Sequence, residues 1–325
     1  MNCRRNENLA VGGSCGTLPQ PLHRSVQMPR LGRHRLRWAL VLAAALFGAA
    51  WLAAQPRPVG PAAGTALEGQ DRLGDGKKGT GPICAEHPEG RFAANWTCPL
   101  FPSKTLRVGT FNIHGGRGAD GRRDLDRTAQ CLAGLDFAAL NEVHGPCPWQ
   151  PLDQAAELGT RLGMAWLFAP NTRTCCCLDS GNGLLSAWPV SFWQGIPLPH
   201  RRERGYRNAV LLGLEQGSRT VRVLLTHVTR SDDASRREQL RAVADLFLSL
   251  AEPAILLGDL NSPADDPEMR RLLGTAGVAD PLGEKLGAAA PPRIDWILAR
   301  GMRSVDAGLR EQGASDHPLA WAELE

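Results

Sequence analysis

An acid and an amide stand two residues apart at Asp259 and Asn261, directly behind the apolar run Ala254-Ile255-Leu256-Leu257. Such a run reads as a strand buried on both faces, and Gly258 ends it, so both polar groups fall at the strand's mouth. A carboxylate in that place must be solvated, hydrogen-bonded or bound to a cation, because a bare buried charge is costly. Alone, the stretch is equally an ordinary turn, since Asp, Asn, Ser and Pro all form turns. Further polar groups in the same setting change that balance. Asn112 ends an alternating segment from Leu106. Glu142 follows Phe137-Ala138-Ala139-Leu140, and His227 follows Thr220 to Thr226. Asp295 sits near the start of Arg293 to Leu298, and Asp316-His317 precede Leu319 to Leu324. Carboxylates, an amide and histidines at converging strand ends suit a hard cation such as Mg2+, which takes oxygen ligands and needs only one or two protein carboxylates beside substrate phosphate. A histidine next to it can move a proton or stabilise charge that develops on phosphate.

The elements that must carry these groups are legible from periodicity. Strands are expected at Leu106 to Asn112, Phe137 to Leu140, Trp166 to Phe168, Gly183 to Ser186, Ala209 to Leu214, Thr220 to Thr226, Ala254 to Leu257, Arg293 to Leu298 and Leu319 to Leu324. Glu215-Gln216-Gly217-Ser218 joins two of them as a hairpin. Apolar residues at helical spacing predict helices over Leu125 to Leu135, Leu152 to Leu162, Ser235 to Leu250 and Met269 to Leu273. Strands outnumber helices and a hairpin is present, so the expected fold is two sheets with helices outside, not one parallel sheet.

Ahead of this domain, expected at residues 104–325, the chain divides into three stretches. Residues 1–37 are rich in Gly, Pro and Arg and read as unstructured. Trp38 to Ala54 is apolar and uncharged behind Arg33, Arg35 and Arg37, which is the pattern of a secretory signal or a single membrane anchor. Met28 as a start would leave a short basic leader. Residues 55–103 are a Pro/Gly-rich linker with Cys84 and Cys98, a plausible disulfide-closed loop in an exported chain, and with a sequon at Asn95-Trp96-Thr97. Export to the cell envelope or beyond, with or without an anchor, is therefore expected. The 325 residues carry 37 Lys and Arg against 33 Asp and Glu, net +4, a mild preference for anionic partners and no nucleic-acid signature by itself.

The segments Thr110-Phe111-Asn112-Ile113-His114, Asn141-Glu142-Val143, Gly258-Asp259-Leu260-Asn261-Ser262, Arg293-Ile294-Asp295-Trp296-Ile297-Leu298 and Ser315-Asp316-His317-Pro318 resemble, in order, the motifs of the endonuclease/exonuclease/phosphatase superfamily. The resemblance runs from about Leu106 to the C-terminus. It implies an α/β four-layered sandwich of two mixed β-sheets flanked by helices, and Mg2+- or Mn2+-dependent hydrolysis of phosphoesters; a monomer is a separate expectation. It implies Glu142 as main metal ligand with Asn112 and Asp316 nearby. Asp259 would orient or deprotonate the attacking water, Asn261 would hold phosphate or metal, and His317, steadied by Asp295, would contact the scissile phosphate. His227 would be the second phosphate-facing histidine and a candidate acid, with Asp179 a guessed supporting carboxylate. Asn141 departs from the usual Gln before the metal-binding Glu.

The substrate follows less directly. A nuclease is the first expectation, with a lipid or small-molecule phosphodiesterase or phosphatase of the same fold as the alternative and a non-catalytic binding module as a third. Arg201, Arg202, Arg204 and Arg207 form a basic run. Arg207, at the mouth of the next strand, is the candidate phosphate grip, together with Asn182 at the end of the preceding loop. His114 reads as a turn residue or one that supports the site's ligands, with a direct role as the alternative. Cys175-Cys176-Cys177 points to disulfides with Cys147 or Cys131 in preference to a metal site.

Overall fold

A computed structural model describes residues 41–48, 57–58, 104–147, 150, 152–173, 179–200, 206–216 and 218–325. The chain divides into two units, Met1–Ala50 and Trp51–Glu325. In the first, residues 41–48 form helix α1 with Val41, Leu42, Leu46 and Phe47 exposed. Among the described residues no helix is long and apolar enough to cross a membrane. Most of the expected apolar span 38–54 lies outside them, as do the linker's Cys84 and Cys98, the sequon, Cys175 to Cys177, and Arg201, Arg202 and Arg204.

The second unit holds two sheets. The first has the order β1(Arg57–Pro58)-β4(Ala165–Arg173)-β5(Ser180–Ser186)-β3(Phe137–His144)-β2(Leu106–Asn112)-β13(Leu319–Leu324)-β12(Ser304–Arg310). The second has the order β10(Val278–Ala279)-β11(Asp295–Arg300)-β9(Ala254–Asp259)-β8(Arg219–His227)-β7(Asn208–Gln216)-β6(Val190–Pro197). Each sheet contains one parallel pair, β2 with β3 and β8 with β9, among otherwise antiparallel neighbours. Both sheets are therefore mixed, as expected.

Alternation along the strands sorts side chains into layers. Leu225, Ile255 and Leu257 face the other sheet and pack with Val108, Phe137 and Ala139. Leu224 and Leu256 point outward and pack under α4(Asp233–Ser249) and α5(Pro267–Leu273), beside Leu240, Phe247 and Met269. On the far side, Phe111, Leu140 and Leu185 pack under α2(Leu125–Leu132) and α3(Gln154–Leu162). Helix, sheet, sheet and helix make the four layers. The helices start where an aspartate can cap them: Asp124, Asp153, Asp232 and Asp266 each accept a backbone N–H of the first turn. A sixth helix, α6(Pro281–Leu286), is capped the same way by Asp280.

The structure departs from the sequence reading in several places, among them α6 and the short β1 and β10, none of which was expected. β3 does not stop at Leu140 but runs to His144, with a register shift between Leu140 and Val143. β6 and β12 were not expected; both have a half-exposed burial pattern that carries no alternation signal. His227 is the last residue of β8 rather than the first after it. Cys131 and Cys147 are free thiols, so neither takes part in the disulfide expected for them; Cys131 is buried, and burial pushes its thiol up to about 11.

One buried amide ties the sheets together. Asn141 of β3 donates to Asn182 Oδ1 at 2.9 Å and to the Thr226 carbonyl at 3.0 Å, and its own carbonyl accepts from the Asp259 N–H at 2.9 Å. It is fully buried, so each of those partners would be left without water if it were removed. Asn141→Leu, similar in size but apolar, is expected to lower the unfolding free energy by roughly 3 kcal/mol or more in urea denaturation. A loss under about 1 kcal/mol would contradict the assignment of that role to Asn141.

Candidate active site

The two parallel pairs end side by side, and their last residues are the functional ones. Asn112 of β2 is in register with Asn141 of β3, and His227 of β8 with Asp259 of β9. β11 runs antiparallel to β9 and brings Asp295 opposite Asp259. Gly258 makes the close approach possible: its φ is +147°, and a Cβ there would meet the Thr226 carbonyl oxygen at 1.9 Å, so no other residue fits. The segment carrying Asp316 and His317 is fastened to the end of β2. Ser315 Oγ donates to the Asn112 carbonyl at 2.7 Å, and the His317 N–H reaches Ser315 Oγ at 3.3 Å.

Asp259 is at the centre. Its Oδ2 accepts from Asn112 Nδ2 at 3.1 Å and its Oδ1 from the Asn261 N–H at 2.9 Å. Burial, and then the nearby Asp295, push its carboxyl up to about 6. Across from it, His317 Nδ1 is 2.7 Å from Asp295 Oδ2, while His317 Nε2 lies 4.0 Å from Asp259 Oδ2. The bond to Asp295 raises His317 to about 9, so it is an imidazolium at neutral pH. Burial works against the Asp295 charge and His317 supports it. His227 is the opposite case. It is buried, 3.5 Å from Asp259 Oδ2, and its Nε2 is 3.2 Å from Asn261 Nδ2. Burial first, then Arg207 and His317, hold it well below its ordinary value, so it is neutral. Its carboxylate neighbour is Asp259 rather than Asp179.

Glu142 and Asp316 are arranged differently. Among the described residues the Glu142 side chain has no hydrogen bond or ion pair, yet its charge partly offsets the lowering that burial imposes on Arg207 and His144. Its backbone is left-handed, φ +55°. The non-glycine residues that share that conformation among the described residues are His114 (φ +48°) and Asn261 (φ +47°), and all three line this site. Such backbone costs roughly 1–2 kcal/mol per residue and persists where surrounding structure imposes it. Asp316 is exposed, with Oδ1 3.2 Å from His114 Nδ1. Carboxylate oxygens with an amide alongside are the donor set of a hard divalent cation, and among the described residues Glu142 has both of its oxygens free for one. Asp259, Asp295 and His317 also bring ligand-type atoms within 4.8 Å of one another. That cluster already satisfies itself, since a protonated His317 bonded to Asp295 has no lone pair to give. Glu142, with no such partner, and Asp316 are the other carboxylates at these strand ends.

Arg207 sits at the mouth of β7, with Nη1 donating to the Tyr206 carbonyl at 3.1 Å and Nε covered without a partner. Burial lowers its guanidinium, and Glu142 and Asp259 pull it back up. It is thus placed beside both carboxylates with donors to spare. Asn182 is not. It is fully buried, its oxygen accepts from Asn141, and its amide donates to Asn208 O at 3.0 Å and Asn208 Oδ1 at 2.9 Å. No hydrogen is left for a phosphate, so Asn182 supports Asn141 instead. Asn261 likewise spends its nitrogen on His227 and on the Val228 carbonyl at 2.8 Å. Asn208, His144 and Gln154, which donates to the Gly115 carbonyl at 2.7 Å, were missed as parts of the site's frame; no local motif marks them.

The His317–Asp295 pair makes stability depend on pH. A histidine raised from 6.5 to about 9 on folding contributes stability that is fully present below pH 6.5 and is lost as pH rises through 9. In metal-free protein, His317→Gln is expected to lower the unfolding free energy by about 2 kcal/mol at pH 6, with the difference from wild type shrinking by pH 10. A difference independent of pH would contradict the ion pair.

A family model for the endonuclease/exonuclease/phosphatase family matches residues 109–317. No curated protein matches the chain. An endonuclease/exonuclease/phosphatase from Beutenbergia cavernae DSM 12333 is 24% identical, with a TM-score of 0.56 over 68% of this chain and 71% of that one. TDP2 from D. rerio, solved with a single-strand DNA product, is 18% identical, with a TM-score of 0.52 over 69% of this chain and 100% of that one. The human Nocturnin catalytic domain, solved with a bound sulfate anion, is 19% identical, with a TM-score of 0.54 over 68% of this chain and 94% of that one. With the family model spanning the strand-end residues from Asn112 to His317, this chain belongs to the endonuclease/exonuclease/phosphatase family, whose members are phosphoesterases that use divalent metals.

Proposed function

We propose that the chain hydrolyses phosphodiesters by direct attack of water on phosphorus, supported by Mg2+ or Mn2+, and that nucleic acid is its substrate. The observation that carries the reading is Asp259: a buried carboxylate raised to about 6, with the Asp295-bonded imidazolium of His317 on one side and the Asn112 amide of the other sheet donating to it. A carboxylate raised that far is a better base than an ordinary aspartate and is still ionised at neutral pH, so Asp259 takes the proton of the attacking water. His317, kept charged by Asp295, stabilises negative charge on the phosphoryl oxygens as the bond to water forms. It is also the histidine with a proton to give. His227, neutral through burial, positions Asn261 and Asp259; the acid role expected for it has no proton behind it. Glu142 and Asp316, with Asn112 alongside, would hold the cation, which neutralises phosphate charge when bound. Arg207 grips a phosphate oxygen.

Nucleic acid is supported by Arg207 at the mouth of the site, a guanidinium with donors to spare for a phosphate. Export is a further proposal, resting on the apolar run Trp38 to Ala54 behind three arginines.

The full chain incubated with plasmid DNA and Mg2+ or Mn2+ is expected to nick it, and EDTA to abolish nicking. Asp259→Asn should lower the rate roughly 10²–10⁴-fold. Arg207→Gln should act mainly on KM, about tenfold. Nicking within a few-fold of wild type in Asp259→Asn would refute its role. A folded protein that leaves DNA intact but hydrolyses lipid headgroup or nucleotide phosphodiesters would overturn the substrate and keep the chemistry.

A further inference from the structure

The first two turns of α4 hold the site from behind at two points. Gln239 Oε1 accepts the Thr229 N–H at 2.8 Å, two residues past His227. One turn earlier on the same face, Arg236 Nη1 donates at 2.8 Å to Oγ of Ser262, the residue after Asn261. The same Nη1 donates to Asp266 Oδ2 at 2.8 Å, and Nη2 reaches Asp233 Oδ1 at 3.2 Å. Ser262 is fully buried and Asp266 nearly so, and their oxygens take from the guanidinium the hydrogen bonds that water would otherwise give. The Ser262 carbonyl is held as well, by the Trp296 indole N–H at 2.9 Å. Trp296 is itself fixed under Arg293, whose Cζ lies 4.1 Å from the ring centroid and whose guanidinium pairs with Asp280.

The residue in front of Ser262 needs such a grip. Asn261 has φ +47°, and in that conformation its N–H meets Asp259 Oδ1 at 2.9 Å. Left-handed backbone is disfavoured and persists where neighbours impose it. On one side Asn261 is tied through its amide to the Val228 carbonyl at 2.8 Å; on the other the tie is Ser262. We propose that Arg236 is a positioning residue of the reaction: by gripping Ser262 Oγ it keeps the Asn261 peptide turned so that its N–H fixes the plane of the Asp259 carboxylate. The inference rests on Asp259 as the base, put forward above. Without the grip the segment relaxes toward ordinary backbone, and the carboxylate, no longer held at Oδ1, turns away from the attacking water. A misplacement of about 1 Å at a reacting atom costs on the order of 10²-fold in rate. Substrate binding does not pass through this path, so the loss falls on kcat and not on KM.

Two variants cut the same bond from its two ends. Arg236→Gln removes the donor. Ser262→Ala removes the acceptor, leaves the ion pair with Asp266 in place, and carries the test alone where Arg236→Gln does not fold. Hydrogen exchange at the Asn261 amide, followed by NMR on the full chain without substrate, should be at least about tenfold faster in both variants. With bis(p-nitrophenyl) phosphate and Mn2+, kcat should fall roughly ten- to hundredfold in each while KM stays within about threefold. The double variant should be about as slow as the slower single one, because both substitutions break one path. Arg241→Gln is the control: it breaks another tie between α4 and α5, the pair with Glu268 at 2.7 Å, without touching Ser262, and should leave both readouts unchanged. The proposal is overturned if Asn261 exchange is unchanged in both variants, if kcat stays within about twofold of wild type in both, or if the two losses multiply in the double variant. The base and its brace fail differently. Asp259→Asn at the wild-type rate refutes the base and the proposal built on it, whereas an inactive Asp259→Asn beside fully active Arg236→Gln and Ser262→Ala refutes Arg236 alone.

Discussion

Two sheets that meet only through apolar side chains can slide on one another, and a site split between them would lose its geometry. Asn141 removes that freedom. Its amide reaches from β3 to the backbone of β8 and β9, and its partner Asn182 passes the connection to Asn208 at the start of β7. In a dry interior such bonds are directional and costly to leave unmade, so they select one register between the sheets. The Asp259 N–H is held directly by this network, and Asp259 in turn accepts from Asn112 on the other sheet. The catalytic carboxylate is thus gripped from both sheets at once. The shorter amide in place of the family's usual Gln is fully satisfied, so that departure leaves no gap.

Around this fixed point the charges are graded by burial. His227 and His317 flank one carboxylate and end in opposite protonation states. Burial without a charged hydrogen-bond partner empties His227; the bond to Asp295 fills His317. Left-handed backbone at His114, Glu142 and Asn261 stores strain at the same place. That strain costs the fold stability, and hydrogen bonds such as His114 N–H to Asn112 and Asn261 N–H to Asp259 offset it and fix these residues in place.

Much of this was legible in the sequence, for identifiable reasons. The run Ala254 to Leu257 showed itself because β9 is buried on both faces, and the polar groups behind it could only be at the strand's mouth. The order of the motifs then specified the fold. What stayed hidden is tertiary. β6 and β12 lie at sheet edges, where neither face is buried throughout, so no clean alternation is imposed on them. The bend that turns Glu142 is a register shift against β5, invisible along β3 itself. Asn182 looked like a phosphate ligand because it adjoins a loop near the site, but it lies inside β5 and points between the sheets. The expected pairing of Cys131 failed because that side chain is buried under α2, among Phe111 and Leu132.

The central claim is that water, readied by Asp259, attacks phosphorus. Hydrolysis of a phosphodiester by the full chain in 18O-labelled water, with mass analysis of both products after a single turnover, tests it most directly. The account predicts one 18O in the phosphate-bearing product and none in the released alcohol. Label in the alcohol would mean attack at carbon, and no turnover of any phosphodiester with Mg2+ or Mn2+ present would mean that the site is not a phosphoesterase centre.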